Sequence, residues 1–393
     1  MRMKDMRVHV VGAGIAGLAA ATALARRGAT VTVSEQANAL EAVGAGIQIS
    51  PNGAAVLAAL GLESQAARLG NRLGAVEMRD GPSGRPVLRL DLDAAGYDHP
   101  YRAFHRADLV GMLAEAATGA GAQIRLGHTI GPESPIPDDC DVTIGADGIR
   151  SALRARMFPQ GTAGADEPAF TGNVAWRATV PLESYPAPMF DGAADHARLF
   201  MGPGRHLVCY PLRARGLLNI VAVEERRAWQ AEGWMYPDAP ENLRRAFVGM
   251  GAEVRALLDP VEIVHAWGLF RHPVPDIWHR GTCVLIGDAV HPTLPFMAQG
   301  GNLALEDAWV LSETLAKAPD VETAWRHFTA QRLARVRRAV AAAGRNARIY
   351  HLSPAPLRRA LHAAMGLAGR IAPQAPLRRF DWLYREDVTG GKG

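Results

Sequence analysis

The chain has 393 residues, of which 48% are hydrophobic and 21% charged, and its net charge is +4. This length exceeds what one hydrophobic core usually supports, so we expect two domains or one elaborated α/β domain. The small net charge, without a known nucleic-acid-binding module or interleaved aromatic residues, argues against nucleic acid as a partner.

The cysteines and histidines limit the classes of site. Cys140, Cys209 and Cys283 are far apart and odd in number, which excludes a disulfide framework and a CxxC metal site and fits a reducing compartment. The histidines lack HxxH or HExxH spacing, so no metal site is predicted.

The apolar stretches bear on localisation. None reaches the roughly 18 uninterrupted residues of a membrane-spanning helix. The N-terminal charges lead directly into a strand, without the hydrophobic core of a signal peptide. We therefore expect a cytoplasmic protein with no stable membrane insertion.

The first elements in chain order form a βαβ unit. A short apolar strand from Arg7 to Val11 is followed by GAGIAG and an alanine-rich helix to about Arg27. A second strand, from Thr30 to Ser34, is predicted from its β-branched alternation. Further helices are predicted from Ser50 to Leu62 and from Arg106 to Thr118.

The later segments suggest a second domain. A strand from Val142 to Ala146 precedes β-rich segments between residues 169 and 223, which Gly and Pro separate. Because no helices alternate with them, these segments predict an antiparallel sheet. After a strand that begins at Cys283, long helices finish the chain. Their arginines, such as Arg332 and Arg335, are expected on a solvated helix face.

The first motif is the glycine-rich turn between the two N-terminal strands. Gly12, Gly14 and Gly17 allow a tight turn, close approach of a pyrophosphate and close helix packing. The following helix offers unpaired amide groups and a positive dipole to phosphates. Glu35, directly after the second strand, is placed to accept hydrogen bonds from ribose hydroxyls. The motif predicts a dinucleotide without saying which one.

The second motif is VTIGADGIRSALR, in which an apolar strand carries Asp147 to its carboxyl end. Gly148 permits a tight turn, and Ser151 and Arg154 are expected on the next helix. An Asp-Gly pair alone is a common turn. Its position after a buried strand, followed by Ser and Arg, makes a functional interpretation specific.

The third motif is IGDAVHPTLPFMAQGGNLALEDA, a strand end followed by a neutral loop and a helix. Asp288 stands where ligands bind in open α/β sheets, with a turn or helix-cap role as the alternative. The uncharged residues 289–301 are suited to surround a flat, largely uncharged ring. Asn302 begins the predicted helix, whose first amide groups can face a developing negative charge.

Together these motifs resemble the FAD-dependent aromatic hydroxylases, the p-hydroxybenzoate hydroxylase-like class A flavoprotein monooxygenases, over nearly the whole chain. TGNVAWRATVPL and RFDWLYREDV are most similar to the branch that contains salicylate hydroxylase, 3-hydroxybenzoate 6-hydroxylase and 6-hydroxynicotinate 3-monooxygenase. In this family the first motif binds the ADP half of FAD, and the second is associated with FAD and NAD(P)H. The third motif holds the ribityl chain and lines the isoalloxazine.

The resemblance also implies individual FAD contacts. Arg106, in FHRADL, matches a family arginine that contacts FAD. The residues assigned to FAD in this way are Gly12, Gly14, Gly17, Glu35, Arg106, Asp147, Asp288, Pro295, Gly300, Gly301 and Asn302. Only one GxGxxG is present, so NADH or NADPH is expected as a transient reductant without a domain of its own.

The implied fold is α/β, a Rossmann-like FAD-binding domain with an inserted antiparallel-sheet substrate domain and C-terminal helices. The predicted ranges are residues 1–75, 98–168 and 274–350 for a discontinuous FAD-binding domain, 76–97 and 169–273 for the substrate domain, and 351–393 for a C-terminal helical tail. We expect a monomer or a homodimer.

The implied activity is hydroxylation of a small aromatic substrate, a phenolic or hydroxypyridine carboxylic acid. Reduced FAD and O2 would form a flavin C4a-hydroperoxide, so the protein must stabilise anionic flavin, exclude water and make the substrate ring electron-rich. The amides of Gly301 and Asn302 are expected to meet the first requirement. Pro295, Phe296 and Met297 are expected to meet the second, as an apolar wall.

Ring activation directs attention to HLVCYP. His206 and Tyr210 share one face of a strand, and a histidine is the usual base for a phenol whose pKa is about 10. The 6-hydroxynicotinate-type enzymes have a His and a Tyr with this spacing in the substrate pocket. The resemblance therefore implies that His206 is the base or hydrogen-bond partner and that Tyr210 orients the ring. A surface or structural histidine is the alternative.

Other substrate-side residues are less determined. Gln48, Phe296 and Met297 complete the predicted substrate pocket, although Gln48 is also compatible with a structural role. Arg177 and Arg213 are both candidates for binding a substrate carboxylate, and the sequence does not choose between them.

Several other functions compete with the hydroxylase. A quinone-type ring hydroxylase or an epoxidase has the same fold, and a flavin-dependent halogenase would carry a WxWxIP signature, which is absent. A non-catalytic dinucleotide-binding protein would be redox-silent. A plain NAD-dependent dehydrogenase would leave the second and third motifs unexplained.

Overall fold

The computed structural model describes residues 3–40, 45–134, 140–158, 168–186, 196–229 and 236–390. The helices are α1 Ile15–Arg26, α2 Pro51–Ala59, α3 Glu63–Leu69, α4 Arg106–Gly119, α5 Ala152–Met157, α6 Pro240–Ala246, α7 Ala252–Leu258, α8 Gly300–Lys317, α9 Val321–Tyr350, α10 Ala355–Ile371, α11 Ala375–Arg378 and α12 Asp381–Tyr384. Within these residues, no helix is long and apolar enough to span a membrane.

The strands fall into three sheets. They are β1 Arg7–Val11, β2 Thr30–Ser34, β3 Gly46–Ile49, β4 Asn71–Arg72, β5 Ala75–Asp80, β6 Pro86–Asp91, β7 Arg102–His105, β8 Gln123–Arg125, β9 Val142–Gly145, β10 Ala169–Pro181, β11 His196–Gly202, β12 Arg205–Leu212, β13 Leu217–Glu225, β14 Tyr236–Asp238, β15 Val264–Arg271, β16 His279–Arg280 and β17 Cys283–Leu285.

The first sheet has the order β16-β17-β9-β1-β2-β8. Its strands from β17 to β8 are parallel, and only β16 pairs antiparallel, at the edge. Val8, Val10 and Val11 of β1 are buried, because a parallel sheet is covered by helices on both faces. All parallel strands therefore end at the same edge.

The second sheet has the order β14-β15-β10-β13-β12-β11-β5-β6 and is antiparallel except where β5 pairs with β11. The expected antiparallel sheet is thus confirmed, with one parallel pair added. The β5–β6 hairpin comes from an earlier part of the chain, so no tight turn fixes its direction relative to β11. A small third sheet, β3-β7-β4, carries Gln48.

Strand β12 has two different faces. Leu207 and Cys209 pack into the core formed with α6 and α7. Val208 and Tyr210 pack in clusters on the opposite face, and the His206 ring on that face contacts Phe296. The alternation predicted from HLVCYP is therefore confirmed.

The arginines of α9 correct one expectation. Arg332 is not on a solvated face: only 1% of its side chain is exposed, and it pairs with Glu306 at 2.6 Å and with Asp307 at 2.8 Å. Arg335, also predicted on the surface, pairs with Glu306 at 2.7 Å. Both carboxylates lie on α8, so the pattern of α9 alone did not reveal that an acidic partner faces it.

Burial alone would raise the pKa of Asp307, but the charges of His291 and Arg332 outweigh it and lower that pKa. The pKa of Glu306 is lowered in the same way by Arg332 and Arg335. These carboxylates therefore contribute stability above the pKa of the unfolded chain, and this contribution disappears as the pH falls through their lowered folded values.

We predict that Arg332→Met lowers the free energy of unfolding by about 3–5 kcal/mol, because it removes the buried cation that Glu306 and Asp307 share. The control is Arg337→Met, since Arg337 is 44% exposed and pairs with Asp276, which is 80% exposed. That change should cost about 0–1 kcal/mol. Urea unfolding measures both, and equal losses would contradict the role of the buried network.

Candidate active site

The predicted cofactor residues follow four neighbouring strands. Gly12 comes after β1, Glu35 after β2, Asp147 after β9, and Asp288 after β17. Since these strands are parallel and adjacent, all four residues lie at the carboxyl edge of the sheet. This edge is where ligands bind in open α/β folds.

The glycine turn is shaped for close contacts. Gly12 has a φ of +101°, and a Cβ there would stand 2.5 Å from the Ala146 carbonyl oxygen. A Cβ on Gly17 would stand 1.9 Å from the Gly12 oxygen, whereas one on Gly14 would meet no atom within 4 Å. Helix α1 has no side-chain cap and no acidic residue in its first turn. Its N-terminus is thus open on the side of Gly14 and suited to an anion.

Glu35 lies beside this turn. One carboxylate oxygen accepts a hydrogen bond from the Ala13 amide at 2.8 Å, and the other accepts one from the Ala37 amide at 2.9 Å. The backbone thereby holds the carboxylate against the glycine turn.

Asp147 uses only one of its oxygens. Oδ2 accepts hydrogen bonds from the amides of Ala152 and Leu153 at 2.7 and 3.3 Å, while Oδ1 is buried without a hydrogen-bond partner. Burial raises the pKa of this carboxyl, against the hydrogen bonds that favour its charge. Ser151 was expected on the helix. It instead precedes α5 as its N-cap and accepts a hydrogen bond from the Arg154 amide at 2.9 Å.

Asp288 lies in a recess that also holds two arginines. Its side chain is accessible to solvent, yet desolvation by the surrounding protein raises its pKa, against the opposing charges of His291 and Arg106. Protein atoms therefore surround the Asp288 carboxylate on several sides while it stays open to solvent, which describes a recess in the surface. Arg106 is likewise accessible.

Arg177 is the second cation of the recess. Its guanidinium lies 4.3 Å from the centre of the Trp267 ring, and its Nε has no hydrogen-bond partner. Burial, followed by the nearby charge of Arg106, lowers the pKa of Arg177 to about 10, so it is still charged at neutral pH. Arg213, the other candidate for binding a carboxylate, is exposed.

The loop after Asp288 presents an apolar wall. Pro295–Met297 forms a 3-10 turn, and Phe296 and Met297 are 5% and 7% exposed. Helix α8 begins at Gly300, two residues before the predicted start at Asn302. Gly300 lies next to the recess, because a Cβ there would stand 3.8 Å from the Asp288 carboxylate. At the next position, a Cβ on Gly301 would stand 2.9 Å from the Ile47 side chain, so a glycine fits this close contact.

Asn302 has a structural role that its motif did not indicate. Its side-chain oxygen accepts from the Ser50 amide at 2.9 Å, and its side-chain nitrogen donates to the carbonyls of Ala298 and Gln48 at 2.6 and 3.1 Å. The residue thus fixes the end of the loop against β3.

His206 faces this wall from β12. Its ring centre lies 5.2 Å from that of Phe296 and 5.4 Å from that of Tyr350. Its Nδ1 forms a 2.7 Å hydrogen bond with Nε2 of His351. Burial, followed by the charge of His351, holds the pKa of His206 well below its ordinary value, so the ring is neutral at physiological pH.

Tyr210 lies further along the same strand face. A Cβ on Gly46 would stand 2.8 Å from the Tyr210 hydroxyl oxygen, so this glycine makes room for the ring. Gln48 is adjacent and accepts a hydrogen bond from the Tyr101 hydroxyl at 2.8 Å. His206 and Tyr210 are four positions apart on an extended strand, about 13 Å along it, and Val208 lies between them on the same face.

The sequence did not identify several residues of this region. Tyr101 is buried and Tyr350 and Tyr384 are partly buried, and burial raises the pKa of each of these phenols. His351 is the residue that hydrogen-bonds His206. None was assigned to the site from the sequence, although Tyr384 lies in the segment RFDWLYREDV, because each comes near the site only through the packing of distant segments.

Three features of this region fit FAD. The open space at Gly14 admits a pyrophosphate, the unpartnered oxygen of Asp147 can accept from a ligand, and Asp288 faces a recess large enough to expose it. In the described part of the chain, no group of three or more His, Cys, Asp or Glu side chains is arranged to hold a metal ion.

We predict that Gly14→Ala and Gly17→Ala act differently. Gly14 has a φ of −81° that alanine tolerates, so this change should leave apoprotein stability unchanged and weaken FAD binding by about tenfold or more, since the methyl group occupies the approach of the phosphates. Gly17→Ala should destabilise the apoprotein itself because its Cβ meets the Gly12 oxygen. Thermal unfolding and FAD fluorescence titration separate the two effects. Full FAD affinity in Gly14→Ala would contradict the assignment.

The chain is similar to known proteins over most of its length. A family model for the FAD binding domain matches residues 5–134 and 137–343. The 3-amino-4-hydroxybenzoate 2-monooxygenase PtnB3 of Streptomyces platensis is 35% identical, and the match covers 96% of this chain and 95% of that protein. The 3-hydroxybenzoate 6-hydroxylase of Klebsiella oxytoca is 32% identical, with 88% and 89% covered.

A solved structure gives the same result. Klebsiella pneumoniae HpxO, complexed with FAD and uric acid, superimposes with a TM-score of 0.78 at 26% identity, with 93% of this chain and 94% of that chain covered. The predicted α/β fold with a Rossmann-like FAD-binding domain is confirmed, and the chain belongs to the FAD-binding-domain family that includes the flavin-dependent aromatic monooxygenases.

Proposed function

We propose that this chain is an FAD-dependent monooxygenase that uses NADH or NADPH and O2 to hydroxylate a small aromatic acid bearing a ring hydroxyl. The relatives named above are hydroxybenzoate monooxygenases, and 6-hydroxynicotinate 3-monooxygenase of Bordetella bronchiseptica is 31% identical. The observation that carries the proposal is the contact between His206 and Phe296, because it joins a proton acceptor to the predicted flavin wall.

The residues that would hold FAD are those at the carboxyl edge of the first sheet. Gly12, Gly14 and Gly17 would admit the pyrophosphate, and Glu35 would accept from the ribose. The cofactor would then pass Asp147, Arg106 and Asp288 on the way to its flavin ring. The ring would lie beside Pro295 and the first amides of α8, at Gly300, Gly301 and Asn302. Bound FAD supplies the electron transfer from the nicotinamide and the activation of oxygen.

The chain's own residues prepare the substrate. Phe296 and Met297 are almost completely buried, so they exclude water from the reacting face. Tyr210 and Gln48 orient the ring through hydrogen bonds. His206 accepts the proton of the ring hydroxyl through Nε2, since its Nδ1 is already bonded to His351. Loss of that proton makes the ring electron-rich at its ortho and para positions.

Arg177 favours an acidic ligand. It is the cation of the recess that influences Tyr210, and its Nε has no hydrogen-bond partner in the structure. A carboxylate or a substrate oxyanion would satisfy it. We therefore prefer Arg177 to the exposed Arg213 as the residue that meets the negative charge of the substrate.

Two further assignments are part of the proposal. We retain the predicted domain ranges, and the membership of β5 and β6 in the sheet of β10–β15 supports assigning residues 76–97 to the substrate domain. A cytoplasmic location is consistent with Cys140, Cys209 and Cys283, all in described segments, which form no disulfide. We retain monomer or homodimer as the expected state.

We predict that FAD-loaded protein oxidises NADH faster when an acceptable aromatic acid is present and converts that acid to a hydroxylated product. The panel is 3-amino-4-hydroxybenzoate, 3-hydroxybenzoate and 6-hydroxynicotinate, with benzoate as the control that lacks a ring hydroxyl. NADH absorbance and product mass measure the outcome. Absence of bound FAD, or of product from the whole panel, would refute the proposed function.

We predict that His206→Ala lowers the rate of hydroxylation by about 10²–10⁴, the usual contribution of a general base, and leaves FAD bound. Val208→Ala is the matched control, because Val208 shares the same strand face but cannot accept a proton. Product formation and the flavin absorption spectrum measure the two effects. Unchanged turnover in His206→Ala would remove the histidine from the mechanism.

A further inference from the structure

Three side chains connect the substrate side of β12 with solvent. His206 Nδ1 lies 2.7 Å from His351 Nε2, and His351 Nδ1 lies 3.1 Å from Oε1 of Glu225. His206 and His351 are 2% and 3% exposed, whereas 54% of the Glu225 side chain is exposed. This series of hydrogen bonds therefore begins in the interior and ends at the surface.

The Glu225 carboxylate determines which atom donates in each of these hydrogen bonds. A carboxylate only accepts hydrogen bonds, so His351 must carry its proton on Nδ1. Nε2 of the same neutral ring is then an acceptor, so Nδ1 of His206 must be the donor in the bond between the histidines. Nε2 of His206 is left with its lone pair. Through His351, Glu225 thus determines that Nε2 of His206 is a hydrogen-bond acceptor and not an N–H group.

The surroundings hold the geometry in place. The His351 carbonyl accepts hydrogen bonds from the Gly204 amide at 3.0 Å and from the Ser353 hydroxyl at 3.2 Å. Phe296 and Tyr350 pack against the His206 ring. These contacts join the β11–β12 turn to the end of α9.

The charged neighbours are few. Arg205 faces His351 and lowers its pKa, as burial does more strongly, while Glu225 opposes both. Arg205 itself lies 3.8 Å from Glu224, which also pairs with Arg226 at 2.9 Å. Glu225 is thus the acidic group that acts on the histidines, and its neighbour Glu224 is engaged elsewhere.

Neither histidine is suited to hold an extra proton. Burial lowers the pKa of both rings, whereas the phenol to be ionised has a pKa of about 10. If the proton stayed on His206, a buried imidazolium would form without a carboxylate in contact with it. The proton must leave the interior for the ionised substrate to persist.

We propose that His351 and Glu225 are positioning residues that set the tautomer of His206 and carry the substrate proton to solvent, an inference that rests on the proposed function. The substrate O–H bond breaks as N–H forms at Nε2 of His206. The Nδ1 proton of His206 passes to Nε2 of His351, the Nδ1 proton of His351 passes to the Glu225 carboxylate, and Glu225 releases it to water. One proton moves at each step, and no electrons are exchanged with the surroundings.

The test measures ionisation of a bound phenol, not turnover. FAD-loaded protein is mixed rapidly with 3-amino-4-hydroxybenzoate without NADH, and stopped-flow ultraviolet absorbance records the rate at which the bound phenolate forms. The variants are Glu225→Gln, which cannot take up a proton, and His351→Gln, which interrupts the series of hydrogen bonds between His206 and Glu225. Glu224→Gln is the matched control, because it lies one residue away on the same strand and takes no part in that series.

We expect the bound phenol to ionise about tenfold or more slowly in both variants, because its proton loses the route to solvent. Glu224→Gln should behave as the wild type. A normal rate of phenolate formation in Glu225→Gln would overturn the inference while leaving the proposed function intact, and so would an equal loss of rate in Glu224→Gln. Failure of the wild type to bind or ionise 3-amino-4-hydroxybenzoate, 3-hydroxybenzoate or 6-hydroxynicotinate would overturn both.

Discussion

The parallel pairing of β17, β9, β1 and β2 is the constraint on which the candidate site depends. These strands come from segments as far apart as residues 7 and 285, yet parallel pairing brings their carboxyl ends to one edge. The register is fixed by burial, since the valines of β1 are enclosed on both faces. A slip of one residue would reverse every side chain of a strand, so the core of the first sheet also fixes the positions of Glu35, Asp147 and Asp288.

A second interaction shapes the loop after Asp288. Asp307 accepts from the Gly287 amide at 2.9 Å and from His291 at 2.5 Å, and Arg332 holds its other oxygen at 2.8 Å. The charges that anchor the loop thus lie behind it, between α8 and α9. Its front, at Phe296 and Met297, can therefore be apolar without leaving the backbone unsupported.

The sequence predicted those parts of the site that are encoded locally. A strand, a glycine and an acidic residue stand together in the chain at Gly12 to Glu35 and at Asp147, so their meeting at one edge follows from the fold class. The alternation of His206 and Tyr210 was predictable for the same reason.

Other features depend on contacts between distant segments. Arg332 was misplaced because its partners lie on another helix, about 25 residues away in the sequence. The start of α8 was predicted two residues late because glycine is a poor helix former. His351 belongs to no motif, and Tyr384 lies in RFDWLYREDV, a segment that indicated the family but no role for this residue. Their roles arise only when the last helices close over the second sheet, which no local pattern describes.

The tyrosines around Tyr210 have a consequence for selectivity. Burial raises the pKa of Tyr101, Tyr210, Tyr350 and Tyr384, so these phenols stay neutral throughout the physiological range. Arg177, which acts on Tyr210, remains cationic. The environment therefore has a positive potential before any ligand enters, which favours anions and repels amines of the same size. Selectivity would therefore depend first on the charge of a ligand and then on the shape of its ring.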